Sequence, residues 1–312
     1  MTRAAGIDVG GTKALGVVIG GDGTVLERHR LPTPHGADAI IETLAELAGL
    51  LAPYDTLGVG MPGLVTRSGV LRASPNLVGI REFAVGERLR SRLGQPVVID
   101  NDATCALAAE WQFGAAKGET DVVMVTLGTG IGGALVAGDR LIRGVNGFTG
   151  EIGHMVVDPA GPPCPCGRAG CWERYASGSG LARLAREAAA GGRLTHMVSM
   201  VGGDPEAVRG EHVRDAALAG DPEALQVVDQ FGRWVALGLV NLTNVIDPGA
   251  FVLGGGLAQN GELYLEPIRR WFSELLYAPE LRPHPSLRFA AFAEYAGAMG
   301  AAVLPLIADR LA

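Results

Sequence analysis

The sequence predicts an α/β protein made of two duplicated α/β domains around a cleft. Two observations carry this. The segment from Ile7, IDVGGTKALGVVIGGDGTVLER, and the segment from Val125, VTLGTGIGGALVAGDRLIRG, share one plan. Each runs strand, Gly-rich turn, strand, Gly-Asp turn, third strand, which is the signature of an internal repeat. The chain is also long enough for two cores: 312 residues, 48% apolar and 19% charged, a globular composition. Its 47 glycines lack a three-residue period, which excludes collagen, and they sit beside apolar runs. Tight turns and close backbone approach to a ligand are what glycine permits there.

The elements follow in order. AAGIDVGG, ALGVVIG and TVLERHRL read as strands of a meander. From Ala37 to Ala52, apolar Ile40, Ile41, Leu44, Leu47 and Leu51 keep a helical period. TLGVG, a Pro-Gly turn and a hairpin-like stretch lead to Asn76. Val97–Asp100 is a short strand, and the Ala-rich ATCALAAEW after Asn101-Asp102 is a helix capped by those two residues. A small, polar GAAKGET stretch follows Phe113. The repeat then begins again, and a loop-rich region from Arg143 to Ser179 leads to helices. Asp221-Pro222 opens a helix with an N-cap and a first-turn proline. Ala250–Leu253 is a strand, and Tyr295–Leu311 a last helical stretch. This gives a small N-terminal domain over residues 1–115, a larger domain over 116–293, and a C-terminal helix from about 294 to 312 packing back on the first domain.

Charge and hydropathy exclude several functions. With 26 basic and 33 acidic residues the net charge is −7, which argues against a nucleic-acid partner. The N-terminal MTRAAGIDVGGTK has no apolar region of signal-peptide length, so a cytoplasmic protein is expected. The longest uncharged stretch, Val122–Gly138, is just short of a membrane span and is interrupted by five glycines. It reads as two buried strands, so no membrane partner is expected.

Several motifs carry chemistry. A P-loop is absent. Two G-x-G-x-x-G matches, at Gly58, Gly60 and Gly63 and at Gly128, Gly130 and Gly133, are followed by strands, whereas a dinucleotide fingerprint opens a helix. Asp8-Val9-Gly10-Gly11-Thr12-Lys13 supplies a carboxylate at a strand end, backbone N–H groups without a Cβ in the way, a hydroxyl and an ammonium. These partners suit a phosphate and Mg²⁺. The segment alone is equally an ordinary hairpin turn. Its echo at Gly128-Thr129-Gly130 favours two facing phosphate hairpins, a nucleotide site of actin-like type. Asn101-Asp102 is an N-cap, and Asp102 is also a candidate general base, with Asn101 orienting the same substrate. Glu151-x-x-His154, Cys164-x-Cys166 and Cys171, then Glu173, contain three thiols and one imidazole. That is a complete tetrahedral Zn²⁺ set, and four protein ligands make it a structural site. A disulfide with a spare thiol is the alternative. Cys105 stands alone. Glu151 and Glu173 bracket the cluster as candidate hydroxyl acceptors.

Taken together, D-x-G-G-T-K, N-D, L-G-T-G-x-G-G, G-E-x-G-H, C-x-C-G-x-x-G-C-x-E and L-G-G-G-L, in this order and over nearly the whole chain, resemble the ROK family of repressors, open reading frames and sugar kinases. The resemblance implies the actin-like, ribonuclease H-like ATPase fold. It implies Asp102 as catalytic base, and Asn101, Glu151, His154 and Glu173 as sugar-binding residues, with Gly63 and Asn76 added. His154 would use one ring nitrogen on zinc and offer the other to the sugar. Asp8, Gly10, Gly11, Thr12, Lys13, Gly128, Thr129 and Gly130 would hold the phosphates of ATP and Mg²⁺. Gly254, Gly255 and Gly256 would open the adenosine pocket, and His154, Cys164, Cys166 and Cys171 would bind structural Zn²⁺. The D-x-G-G motif begins at residue 8, so no helix-turn-helix region is expected before it. An ATP-dependent hexose kinase follows, with glucose the first choice and fructose, mannose or N-acetylmannosamine as alternatives. A polyphosphate donor and a non-catalytic sugar sensor are the remaining rivals. A homodimer or homotetramer is expected.

Overall fold

The computed structural model describes residues 2–312. The N-terminal apolar runs form β1 (Ala4–Val9), β2 (Lys13–Ile19) and β3 (Val25–Pro32), paired antiparallel in sequence. Helix α1 (Ala37–Leu51) buries Ile40, Ile41, Leu44, Leu47 and Leu51, the face set by its 3.6-residue period. β4 (Thr56–Met61) runs parallel to β1. The hairpin-like stretch becomes a small antiparallel sheet of β5 (Leu64–Val65), β6 (Leu71–Ala73) and β7 (Arg81–Phe83). Helix α2 (Val85–Leu93) ends at Gly94, whose φ of 68° is the left-handed cap conformation that glycine adopts without penalty. β8 (Val98–Asn101) pairs parallel with β4 and leads into α3 (Asp102–Phe113).

The plan then repeats with β9 (Val122–Leu127), β10 (Ile131–Ala137) and β11 (Arg140–Ile142). The loop-rich region ends at the short α4 (Glu173–Ala176), followed by α5 (Gly178–Ala190), α6 (Thr195–Met200), α7 (Gly210–Leu218) and α8 (Pro222–Ile246). Asp221 caps α8, its Oδ1 accepting from the Glu223 and Ala224 amides at 2.9 Å. β12 (Ala250–Gly254), α9 (Gly261–Leu275), β13 (Ser286–Phe289) and α10 (Ala296–Val303) complete the chain.

The duplication is visible in the sheets. One has the order β3-β2-β1-β4-β8 and the other β11-β10-β9-β12-β13, the same topology position for position. No helix among the described residues is long and apolar enough to cross a membrane.

The chain divides into two compact units. Unit 1 comprises Met1–Met124, Gly133–Gly150 and Ala290–Ala312; unit 2 comprises Val125–Gly132 and Glu151–Phe289. Within unit 1, α10 lies against β1, β4 and α3 at backbone distance. A Cβ on Gly6 would strike the Ala298 carbonyl, one on Gly58 the Ala301 carbonyl, and one on Gly300 the Cys105 carbonyl. The glycines of β1 and β4 thus serve close packing of a small-residue helix, AGAMGAAV.

The single helix expected over Tyr295–Leu311 is broken. α10 stops at Val303, and Leu304–Arg310 is a 3₁₀ stretch with Ile307 outside helical φ/ψ. Pro305 has no N–H to continue the ladder and crowds the preceding turn. Leu311 then forms a parallel bridge to Leu141, extending beyond β11.

Candidate active site

In unit 1 the site begins at the β1–β2 turn. The Gly10 amide donates to the Lys13 carbonyl at 2.9 Å, and Thr33 Oγ1 donates to the Gly10 carbonyl at 2.8 Å. Gly11 is exposed, yet a Cβ there would come 3.1 Å from the Asn76 carbonyl. Asn76, expected at the sugar, is thus a neighbour of the β1–β2 turn. Lys13 is exposed, its Nζ 3.4 Å from Glu294. Asp8 ends β1 beneath this turn. Burial, reinforced by the negative Asp102 and opposed by Lys13, pushes its carboxyl up to about 7. Gly297 at the start of α10 makes room for it, since a Cβ there would lie 2.6 Å from Asp8 Cγ.

The second piece of unit 1 is the β8–α3 corner. Asn101 is the N-cap: its Oδ1 accepts from the Ala103 and Thr104 amides at 2.9 and 3.1 Å. Its Nδ2 donates to the Gly63 carbonyl at 3.1 Å. Gly63 has φ 108°, and its turn passes so close to Ala73 that only glycine fits. Asn101 and Gly63 are thus brought together, with Asp102 in the first turn of α3, where the helix dipole favours its charge.

Two residues behind this corner carry no local sequence signal. Asp100, 1% exposed, accepts from the Asn101 amide at 2.8 Å, and Arg143 Nε lies 2.7 Å from its Oδ2. Burial pushes the Asp100 carboxyl up to about 6 despite Arg143, the Asn101 amide and Arg67. The sequence placed Asp100 only as a strand end and Arg143 only as the start of a loop.

In unit 2 the repeated turn is closed by the Gly128 amide donating to the Gly130 carbonyl at 3.0 Å. The cysteine loop sits beside it. Its anchor is Trp172, fully buried, with Nε1 donating to the Trp234 carbonyl at 2.7 Å and its ring against Gly238 of α8. Around this anchor the ligand atoms of His154, Cys164, Cys166 and Cys171 lie within 4.8 Å of one another. Cys166 and Cys171 Sγ are 3.6 Å apart, and Cys164 Sγ is 3.9 Å from His154 Nδ1. Tetrahedral thiolates about 2.3 Å from zinc would be roughly 3.8 Å apart, so the four groups fit this ion. Burial pushes the Cys164 thiol up to about 12; a bound cation reverses that by taking the thiolate. His154 Nδ1 faces the cluster, and Nε2 lies 3.9 Å from Glu151. Glu151 is raised by burial, with His154 opposing and Glu173 reinforcing. Glu173 Oε1 is 3.7 Å from His154 Nδ1.

A cavity of about 230 Å³ in the same unit is lined by Gly178, Arg209, Glu211, Arg214, Gly256, Leu257 and Tyr264. Of the three glycines expected there, Gly256 lines it, while Gly254 is buried within β12 and Gly255 packs on the Leu127 backbone at φ 85°. Arg209, the N-cap of α7, and Glu211 and Arg214 within it had no motif to mark them. A larger cavity, about 580 Å³ among α6, α7 and the start of α8, contains none of the expected site residues.

Two Gly-rich hairpins on matching sheets, a carboxylate at the end of β1 and a carboxylate at a strand–helix corner define a phosphotransferase of the actin-like ATPase class. The chain belongs to the ROK family, whose pattern matches residues 4–307. It is 37% identical over 310 residues to the glucokinase of Streptomyces coelicolor, covering 97% of this chain and 98% of that one. Among solved structures it is similar to a ROK family glucokinase from Streptomyces griseus in complex with glucose and AMPPNP, with a TM-score of 0.84, 36% identity, and coverage of 97% and 98%. The ROK hexokinase of Thermus thermophilus superposes with a TM-score of 0.81 at 36% identity, covering 99% of this chain and all of that one.

Proposed function

We propose that this chain is an ATP-dependent hexose kinase of glucokinase type that phosphorylates the 6-hydroxyl of glucose. The observation that carries the reading is the Asn101–Asp102 corner. Asn101 is fixed by three hydrogen bonds, so the carboxylate beside it is held at a defined place in the first helical turn. Preorganisation of this kind is what a general base needs. The glucokinase relatives from two Streptomyces species, one with glucose and AMPPNP bound, support the choice of sugar and donor.

In this reading Asp102 accepts the proton of the 6-hydroxyl as that oxygen bonds to the γ-phosphorus, and the bond from phosphorus to the ADP oxygen breaks. The products are the sugar 6-phosphate and ADP. Glu151, Glu173 and His154 Nε2 recognise sugar hydroxyls, with Asn101, Gly63 and Asn76 completing the set. The amides of Gly11, Thr12 and Lys13 and of Thr129 and Gly130 donate to phosphate oxygens, those of Gly10 and Gly128 close the two turns, and Lys13 adds positive charge. The α7–α9 cavity, with Tyr264 and Arg214, accepts the nucleoside. Asp8 and Thr12 would hold Mg²⁺, whose charge offsets that of the phosphates; a buried carboxyl raised to about 7 fits a cation that favours its ionised form. His154, Cys164, Cys166 and Cys171 would hold structural Zn²⁺, which fixes His154 and leaves no coordination position for substrate. A cytoplasmic homodimer or homotetramer belongs to the same proposal.

The test is a coupled assay of the purified chain with a panel of hexoses, run with ATP and with polyphosphate in parallel. Glucose with ATP is expected to give the highest kcat/KM. A preference for N-acetylmannosamine or for polyphosphate would overturn the assignment.

A further inference from the structure

Glu173 touches two functional parts of unit 2 at once. Its Oε1 lies 3.2 Å from Cys164 Sγ and 3.7 Å from His154 Nδ1, on the side of the cysteine loop. Its Oε2 accepts from the Ile131 amide at 3.4 Å, at the exit of the Gly128–Gly130 turn. The turn has a second tie just beyond the same short helix. Ser177 Oγ donates to the Glu173 carbonyl at 2.6 Å, and the next amide, Gly178, donates to the Gly128 carbonyl at 2.8 Å. The start of α4 and the start of α5 therefore grip the turn at both ends, by the Gly178 amide at Gly128 and by the Glu173 carboxylate at Ile131. Gly130 leaves the space the carboxylate needs: a Cβ there would sit 2.6 Å from Oε2.

We infer that Glu173 is a positioning residue for the phosphate-binding turn, so that sugar and nucleotide binding are coupled through its carboxylate. The inference rests on the hexose kinase reading above. The 3.4 Å bond is long and its side chain only 18% exposed. A sugar hydroxyl donating to Oε1 holds the carboxylate in place, and Oε2 then fixes the Ile131 amide and the turn before it. Coupling of this kind is reciprocal: whatever sugar does to nucleotide affinity, nucleotide does to sugar affinity.

Isothermal titration with glucose and Mg²⁺–AMPPNP separates this role from simple sugar contact. In the wild type, saturating glucose should tighten AMPPNP about fivefold or more, within the usual range of coupling between sites. Glu173→Asp, with its carboxylate withdrawn from Ile131, should weaken AMPPNP several-fold with no sugar present, a readout that a pure sugar ligand would not move. Conversely, Gly130→Ala should displace the flexible carboxylate and weaken glucose about tenfold with no nucleotide present. Gly128→Ala meets nothing closer than 3.9 Å and should leave glucose affinity within about twofold. The inference fails if Glu173→Asp binds AMPPNP as the wild type does, or if Gly128→Ala and Gly130→Ala weaken glucose equally. A wild type that binds AMPPNP but no hexose defeats the hexose kinase reading itself. If Gly130→Ala does not fold, the Glu173→Asp titration decides alone.

Discussion

Arg143 Nε lies 2.7 Å from Asp100 Oδ2, in a pair whose side chains are 9% and 1% exposed. The pair stands directly behind the Asn101–Asp102 corner, because Asp100 also accepts the Asn101 amide. Burying two charges is costly, and their mutual attraction offsets the cost only while both are present. Removing Arg143 leaves Asp100 with only the Asn101 amide and Arg67 to offset its burial.

Arg143→Met should therefore destabilise the chain by about 3–5 kcal/mol, as broken buried pairs do. Asp100→Asn combined with Arg143→Met should recover part of that loss. Urea denaturation of the single and double variants measures both. A loss below about 1 kcal/mol, typical of a surface pair, would show that the pair does not hold the corner.

Asp8 predicts a pH dependence. Its folded-state carboxyl titrates near 7, above the ordinary aspartate value. The folded chain therefore holds the proton more tightly than the unfolded chain does. That contribution is complete below about pH 4 and is lost as pH rises through about 7. Other carboxylates, such as Asp22 and Asp215, are lowered by their hydrogen bonds and act in the opposite sense at lower pH. The comparison with a variant isolates the effect. Relative to wild type, Asp8→Asn should gain Tm steadily from about pH 4 to about pH 7 and level off above. Thermal melts across that range without Mg²⁺ check it; a Tm difference independent of pH would contradict the burial of the charge.

Much of this was legible locally. The glycine turns, the Asn101 cap, the Asp221-Pro222 start and the cysteine spacing are short-range patterns whose physics acts within a few residues. The two sheets could be anticipated because the same hairpin plan occurs twice. Arg143 could not be matched to Asp100, because the partners lie on segments far apart in sequence and neither belongs to a motif. The same holds for Arg209, Glu211 and Arg214, which meet Tyr264 only when α7 and α9 come together. The break in the C-terminal helix was signalled by Pro305, but the small apolar residues around it kept a helical appearance.

The cysteine loop predicts close to one zinc per protomer by elemental analysis. Cys166→Ser should lose or weaken that zinc and raise the sugar KM about 10–100-fold, the usual effect of lost positioning around a metal site. KM for ATP should rise no more than several-fold, since the α7–α9 cavity does not include the loop and only the Glu173 link to the Gly128–Gly130 turn carries the change across. Near-native circular dichroism must accompany the result. A folded, zinc-free variant with an unchanged sugar KM would show that the cluster does not support the sugar site.

The central claim is that Asp102 takes the proton of the attacking hydroxyl. The direct measurement is kcat of Asp102→Asn beside its glucose affinity by titration. The amide keeps the shape and the helix start, so glucose binding should stay within a few-fold of wild type. It cannot accept the proton, so kcat should fall by about 10²–10⁴-fold. A variant that binds glucose and keeps more than half of the wild-type kcat would contradict the account.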